Sequence, residues 1–276
     1  MTSELSTKKA RPYPTAWART WPVRGLRRLV QAGGVNALVR SMVTLDVHGL
    51  DQLAGFSEPA LIVANHASHL DTGVLLCTLP SARRRRTAVA AAADYFFDTW
   101  WRAGGSAIAF NTFPIERARG TLSATPGRLL SSGWSVVVYP EGTRSPDGFL
   151  GRFKLGAAWL AVQHQVPVIP VGIRGTYAAM PRGKAWPVRG RPRVSVRYGP
   201  PIRPLPGETV RQLAPRIAAA VRALMAEDET SWWLARRGQT APATADPPPG
   251  SWRRTWQQSE PPPVGGQLQR PAVWRR

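Results

Sequence analysis

From about residue 41 onward, short and almost uninterrupted apolar runs alternate with segments of helical period. Runs at 42–48, 60–65 (ALIVAN), 87–93, 107–111, 134–139 (WSVVVY), 167–173 and 193–198 (RVSVRY) predict strands. Segments 72–79, 95–103, 121–132, 152–164 and 209–228 predict helices between or after them. Strands that are apolar on both faces belong in the middle of a layered structure. The pattern therefore predicts an α/β fold: a single domain with a largely parallel mixed sheet flanked by helices. Two amphipathic helices precede it, at 15–32 and 35–43, separated by Gly33-Gly34. In the first, Val23, Leu26, Leu29 and Val30 share a face that Arg24, Arg27, Arg28 and Gln31 largely avoid. In the second, Val35, Leu38, Val39 and Met42 follow the i, i+3, i+4, i+7 spacing. The expected arrangement sets one face on the body and turns the arginines toward lipid headgroups, the plainer alternative being that both helices simply pack on the core. The resulting domain map is a disordered 1–13, membrane-interface helices at 14–43, the α/β domain at 44–235, and a Pro/Arg/Trp-rich disordered tail at 236–276.

Charge changes the picture. The 276 residues carry 37 Lys+Arg against 16 Asp+Glu, a formal net charge of +21. Such an excess calls for a negative partner: nucleic acid, an anionic membrane or a phosphorylated substrate. It is unevenly placed. Residues 1–45 hold eight basic side chains and one acidic, and residues 236–276 hold seven and two. Trp17, Trp21, Trp252, Trp256 and Trp274 lie among these flanking arginines, a composition suited to a membrane interface. The tail equally fits a solvated basic segment with incidental aromatics. The longest apolar runs, such as Ala88–Ala93, are far short of the ~20 residues of a spanning helix. The N-terminus has no apolar core of a secretory signal. One cysteine, Cys77, excludes an internal disulfide framework and a multi-cysteine zinc site, and fits a reducing compartment.

Candidate chemistry gathers at strand ends. The run ALIVAN leads directly into His66-Ala67-Ser68-His69-Leu70-Asp71. Reacting groups in open α/β sheets sit beyond the carboxyl ends of strands. An aspartate holding one imidazole nitrogen leaves the other free as a base toward a hydroxyl. Read in isolation, the same residues also fit a core histidine with Asp71 capping a helix. His69 has no comparable partner and reads as peripheral. A second cluster, Tyr139-Pro140-Glu141-Gly142-Thr143-Arg144-Ser145, again follows an apolar strand. Glu141 offers a hydroxyl acceptor and Arg144 a fork for phosphate, although a surface turn with an ion pair has the same composition. A third, Phe113-Pro114-Ile115-Glu116-Arg117, places another arginine after a strand. A fourth, Val166-Pro167-Val168-Ile169-Pro170, is a buried strand whose prolines suggest a pocket wall.

Taken together and in this order, the four clusters resemble the four blocks of the lysophosphatidic acid acyltransferase family, the 1-acylglycerol-3-phosphate O-acyltransferases and their glycerolipid relatives. His66 and Asp71 match the His-x4-Asp block, Glu141–Ser145 matches the Glu-Gly-Thr-Arg-Ser block residue for residue, and Val166–Pro170 matches the proline-bearing strand. Phe113–Arg117 matches the remaining block loosely. The resemblance covers roughly residues 35–225, and the N-terminal helices look like the interfacial helix pair of some bacterial members.

The resemblance implies a fatty acyl transfer from acyl-CoA or acyl-carrier protein to a hydroxyl of a glycerolipid precursor, lysophosphatidic acid in the first instance. His66 would be the general base, oriented by Asp71. Arg144 and Arg117 would hold the acceptor phosphate, Glu141 its glycerol portion, and Gly142 and Thr143 would complete the substrate-binding turn. Backbone N–H groups at the start of the helix after Asp71 are a candidate oxyanion stabiliser. No cofactor or metal is implied beyond the acyl-CoA or acyl-carrier protein co-substrate. The implied partners are an anionic phospholipid membrane, the acyl donor and the lysophospholipid acceptor, at the cytoplasmic face of the plasma membrane. No nucleic acid is expected.

Two other readings remain open at this level. The acceptor can be another lysolipid, glycerol 3-phosphate or a non-phosphorylated lipid. Alternatively, the scaffold can serve as a non-catalytic basic membrane- or nucleic-acid-binding module. A serine hydrolase is disfavoured, because the chain has no Gly-x-Ser-x-Gly elbow.

Overall fold

The computed structural model describes residues 13–92, 99–115, 124–184 and 186–227. The chain divides into two units, Met1–Pro242 and Ala243–Arg276; the second lies outside the described residues, as does the tail expected at 236–276. A 3-10 turn at Ala16–Arg19 leads into α1 (Trp21–Leu29) and α2 (Asn36–Met42). The elements that follow are β1 (Thr44–His48), β2 (Leu61–Ala64), α3 (Leu70–Thr78), α4 (Ser81–Arg84) and β3 (Thr87–Ala92). Next come α5 (Trp100–Phe110), β4 (Thr112–Ile115), α6 (Ala124–Ser131), β5 (Ser135–Val138) and α7 (Gly156–His164). The described chain closes with β6 (Val168–Arg174), α8 (Thr176–Ala179), β7 (Arg193–Tyr198) and α9 (Val210–Ala226).

The seven strands form one sheet in the order β1-β7-β6-β2-β5-β3-β4. Every pairing is parallel except β6 with β7. This is the mixed, largely parallel α/β sheet that the apolar runs predict. The strands β2 and β6 are buried along nearly their whole lengths, with cores on both faces of the sheet. One core gathers Ile62, Val74, Leu75, Ile169 and Val196, and the other Leu61, Val63, Leu160, Leu213 and Ile217.

Pro170 sits within central β6 without breaking the sheet. Its carbonyl accepts the Gly199 N–H at 3.0 Å. Val168 exchanges its N–H and C=O with Ile202 at 2.8 and 2.7 Å, and the β7 ladder begins only at Val171↔Tyr198. The missing proline N–H thus falls where the pairing changes partner, a position that does not require it.

Two sequence expectations need correction. Residues 107–110 close α5, and the strand lies at 112–115 instead of 107–111. Asn111 takes a left-handed conformation (φ 54°) and ends the helix, so the apolar run before it is buried helix; periodicity over five residues does not distinguish the two. Nor does Gly33-Gly34 separate two helices, because a π-helical segment at Val30–Val35 carries the chain from α1 into α2.

The larger correction concerns which way α1 faces. Its apolar side is outward: Trp21 and Leu29 are 83% and 73% exposed, and Leu26 is also exposed. Its polar side is the one that packs. Arg27 is buried and donates to the carbonyls of Ala107 (2.9 Å), Ile108 (3.0 Å) and Ala18. Gln31 donates to the Ala109 carbonyl at 2.8 Å. The last turn of a helix leaves carbonyls without intrahelical donors. Arg27 and Gln31 supply donors to the Ile108 and Ala109 carbonyls from outside, and Arg27 adds a second donor to Ala107, which also accepts the Asn111 N–H at 3.1 Å. Burial, with Arg19 and Arg24 nearby, lowers the Arg27 pKa to about 10, so the guanidinium stays charged at neutral pH. Among the described residues no helix is long and apolar enough to cross a membrane.

Candidate active site

Three neighbouring strands build the site. β6, β2 and β5 lie side by side and parallel, so their carboxyl ends open onto one edge of the sheet. The His66–Asp71 loop leaves β2, the Tyr139–Ser145 loop leaves β5, and the Gly175–Met180 segment leaves β6. Asn65 seals the end of β2. Its side chain donates to the Ile173 carbonyl and accepts the Ile173 N–H, each at 2.8 Å, extending the strand pairing by a side chain.

Asp71 is fully buried in the first turn of α3. Its Oδ2 accepts the N–H groups of Ala67 (2.7 Å) and Ser68 (2.8 Å) and lies 2.8 Å from His66 Nδ1. An oxygen that already accepts two N–H donors is a carboxylate acceptor, which puts the imidazole proton on Nδ1. Nε2 is then left with its lone pair. The His66 side chain keeps 16% of its surface, so the ring reaches the cleft. The capping reading does not hold: the N-cap of α3 is His69, without a side-chain cap bond, and Asp71, inside the first turn, ties down the preceding loop while it orients the imidazole.

The second loop is wrapped around His66. The His66 N–H donates to Glu141 Oε1 at 2.7 Å, and the His66 carbonyl accepts the Ser145 N–H at 2.7 Å. The imidazole stacks on the Tyr139 ring, with centroids 4.2 Å apart and planes 19° from parallel. The Tyr139 hydroxyl is 3.0 Å from Thr72 Oγ1, next to Asp71 in α3. Sequence reading missed this use of Tyr139 and of Asn65. Neither residue type signals a stacking or strand-sealing role before the strand order is known.

Glu141 departs from expectation. Its two oxygens are committed to backbone donors, His66 N–H at 2.7 Å and Gly151 N–H at 2.8 Å, where a contact to the acceptor's glycerol was expected. Burial raises its pKa, and the two backbone bonds oppose that shift. Gly142 has φ 74°, a conformation glycine adopts without strain, and a Cβ there would come within 2.7 Å of Lys154 Nζ. The Lys154 ammonium therefore lies over the Glu-Gly-Thr-Arg turn, a neighbour that sequence separation hid. Thr143 is exposed at the tip and Arg144 is half-buried. Arg144 acts electrostatically on His69, whose pKa is lowered to about 4 by burial first and then by Arg144 and His66. Arg117 and Glu116 lie outside the described residues; of their cluster, Phe113 is a fully buried part of β4.

The backbone N–H groups that lead up to the expected oxyanion donors are themselves engaged within the turn. The N–H groups of Ala67 and Ser68 serve Asp71, and those of Leu70 and Asp71 serve Ser68. Cys77 is buried in α3 and its thiol pKa is raised by burial, which does not suit a nucleophile. Among the described residues no cluster of three or more His, Cys, Asp or Glu could hold a metal ion.

Residues 44–174 match the Acyltransferase family model. A chloroplastic 1-acyl-sn-glycerol-3-phosphate acyltransferase of Brassica napus is 32% identical over 142 residues, covering 50% of this chain and 39% of that protein. The human 1-acyl-sn-glycerol-3-phosphate acyltransferase beta is 36% identical over 120 residues, covering 42% and 41%. The chain thus spans about two fifths of the length of these curated relatives. The crystal structure of the 1-acyl-sn-glycerophosphate acyltransferase of Thermotoga maritima superposes with a TM-score of 0.59 at 23% identity, over 78% of this chain and 83% of that one. That likeness is one of fold. The stretch that matches the Acyltransferase family model, residues 44–174, is the one that carries the imidazole–carboxylate pair after β2 and the loop of β5 that grips it.

Proposed function

We propose that this protein transfers a fatty acyl group from an acyl thioester to the free hydroxyl of a phosphorylated lysoglycerolipid, lysophosphatidic acid giving phosphatidic acid. The observation that carries the reading is the 2.8 Å contact of His66 Nδ1 with a carboxylate that is itself fixed by two backbone donors. In this reading Nε2 takes the proton of the acceptor hydroxyl as its oxygen attacks the thioester carbonyl. The tetrahedral intermediate then expels the thiolate, which recovers the proton from Nε2. No acyl-enzyme is required. A positioned general base contributes about 10²–10⁴-fold, so holding the two substrates together supplies much of the rest.

Arg144, with Lys154 beside the same turn, takes the acceptor phosphate. Glu141 serves by keeping His66 in register, and Arg117 remains a candidate second phosphate contact. The donor is acyl-CoA or acyl-carrier protein. The exposed apolar face of α1, with Trp21, Leu26 and Leu29, and Leu38 of α2 supports docking on a membrane, with the basic N-terminal segment drawn to anionic headgroups. The cytoplasmic face of the plasma membrane is the corresponding location.

The test is thiol release from acyl donors offered with a panel of lysolipids, glycerol 3-phosphate and a monoacylglycerol, with products identified by mass spectrometry. Acylation of lysophosphatidic acid, with Arg144→Ala raising the acceptor KM about tenfold, is the expected result. A preference for the unphosphorylated acceptor, or an Arg144→Ala variant with unchanged acceptor KM, contradicts the phosphate assignment.

A further inference from the structure

Beyond β6 lies a group of charges that the acyl-transfer step leaves unused. Because β6 runs parallel to β2, the segment after Arg174 emerges beside the catalytic loop. Ser68 Oγ donates to the Met180 carbonyl at 2.8 Å, so the excursion after α8 starts against the backbone between His66 and Asp71. The Val188 N–H donates to the Ala179 carbonyl at 2.8 Å, which brings the chain back to its point of departure. Within this closed loop the Lys184 N–H donates to the Pro181 carbonyl at 3.1 Å, making a turn. Arg182, Lys184 and Trp186 project from it, and Arg189 and Arg191 follow; all five are exposed, Trp186 by 70%.

The sequence 181–193 contains no Asp or Glu. Among the described residues, the side chains of Arg182, Lys184, Arg189 and Arg191 form no ion pair and no hydrogen bond. Arg193, which follows them, is paired with Asp46. Four exposed cations and one exposed indole carried on the same short excursion match a ligand with several phosphates and an aromatic ring. A bilayer contact needs a contiguous apolar face, which α1 has and this loop does not: among its described residues the exposed large apolar side chains are Trp186 and Val188 alone.

We propose that the loop 180–191 binds the nucleotide end of the acyl donor, the phosphorylated adenosine diphosphate of acyl-CoA. Trp186 stacks on the purine, Arg182 and Lys184 meet the diphosphate, and Arg189 or Arg191 meets the ribose phosphate. The flexible pantetheine arm then reaches from this loop to the thioester at His66. The proposal rests on the acyl-transfer reading and selects acyl-CoA as the donor.

The full-length protein with Trp186→Ala, or with Arg182→Gln and Lys184→Gln together, is compared with wild type on acyl-CoA and on the acyl-pantetheine thioester that lacks the nucleotide. Each variant is expected to raise the KM for acyl-CoA about tenfold more than that for acyl-pantetheine, with Trp186→Phe restoring most of the loss. Quenching of tryptophan fluorescence by 3′-phospho-ADP is expected in wild type and lost in Trp186→Ala. Equal effects on both donors, or an unchanged acyl-CoA KM, overturn the proposal. So does a variant that loses only binding to anionic phospholipid vesicles, or only the use of acyl-carrier protein. If wild type transfers no acyl group from any donor, the functional reading fails; the binding of 3′-phospho-ADP still decides whether the loop is a nucleotide site.

Discussion

The main-chain N–H of His66 donates to Glu141 Oε1 at 2.7 Å, joining the end of β2 to the loop of β5 at the residue that carries the base. The other oxygen of Glu141 accepts the Gly151 N–H at 2.8 Å, so the carboxylate bridges two backbone segments. A negative charge aimed at two N–H donors fixes position more than it contacts a ligand. The Glu-Gly-Thr-Arg-Ser run is therefore as much a cradle for His66 as a site for substrate.

Gly151→Ala tests this cradle without touching either of its charged or catalytic members. A Cβ at Gly151 would sit 2.7 Å from Glu141 Oε2, so the carboxylate must shift and its hold on the His66 N–H must loosen. The expected outcome is a fall in kcat of about tenfold or more at nearly unchanged acceptor KM, with about 1–2 kcal/mol lost in stability. Steady-state kinetics and thermal unfolding of the same preparation check both. An unchanged kcat removes Glu141 from the positioning of His66.

Arg27 holds the N-terminal helices through three carbonyls, Ala18, Ala107 and Ile108. Arg27→Met keeps the apolar stem but removes this donor from all three carbonyls, of which Ala107 retains the Asn111 N–H. We expect a loss of about 2–3 kcal/mol, because hydrogen bonds from a buried charge are the costly ones to remove. Faster proteolysis between residues 13 and 43 should accompany it, while a neighbouring exposed change, Arg28→Met, should be nearly silent. Equal stability of the two variants contradicts the inverted packing of α1.

His69 is held neutral: burial first, then the charges of Arg144 and His66, lower its pKa to about 4 from 6.5, against the opposing pull of Asp71. The unfolded chain therefore binds a proton between pH 6.5 and 4 that the folded chain does not, and stability falls as the pH falls through that window. The ring is only partly buried, so the effect is on the order of 1 kcal/mol after solvent screening. Unfolding midpoints measured from pH 7 to 4 should decline more steeply for wild type than for His69→Gln. Parallel curves contradict the assignment.

Much of this arrangement is legible in the sequence, for physical reasons that differ by residue. Strand β2 is readable because the run Leu61–Ala64 is apolar at every position, the pattern of a strand covered on both faces. His66 and Asp71 are readable because a turn at a strand end brings positions five apart together. The role of Tyr139 is not, since stacking depends on β5 lying beside β2, a long-range fact. The face of α1 misleads for another reason. An amphipathic pattern shows that two faces differ, and packing against carbonyl-rich helix ends can bury the polar one. The strand at 112–115 is displaced from the apolar run because Asn111 ends α5 in a left-handed turn.

If the His66 imidazole, held by Asp71, is the base of an acyl transfer, turnover must depend on both side chains while the fold does not. The decisive assay is thiol release from acyl-CoA in the presence of lysophosphatidic acid, comparing wild type with His66→Ala and Asp71→Asn of matched unfolding midpoint. Acceptor-dependent release is expected from wild type and should be about 10²–10⁴-fold slower in each variant. Acceptor-dependent release that persists undiminished in His66→Ala would contradict this role for His66.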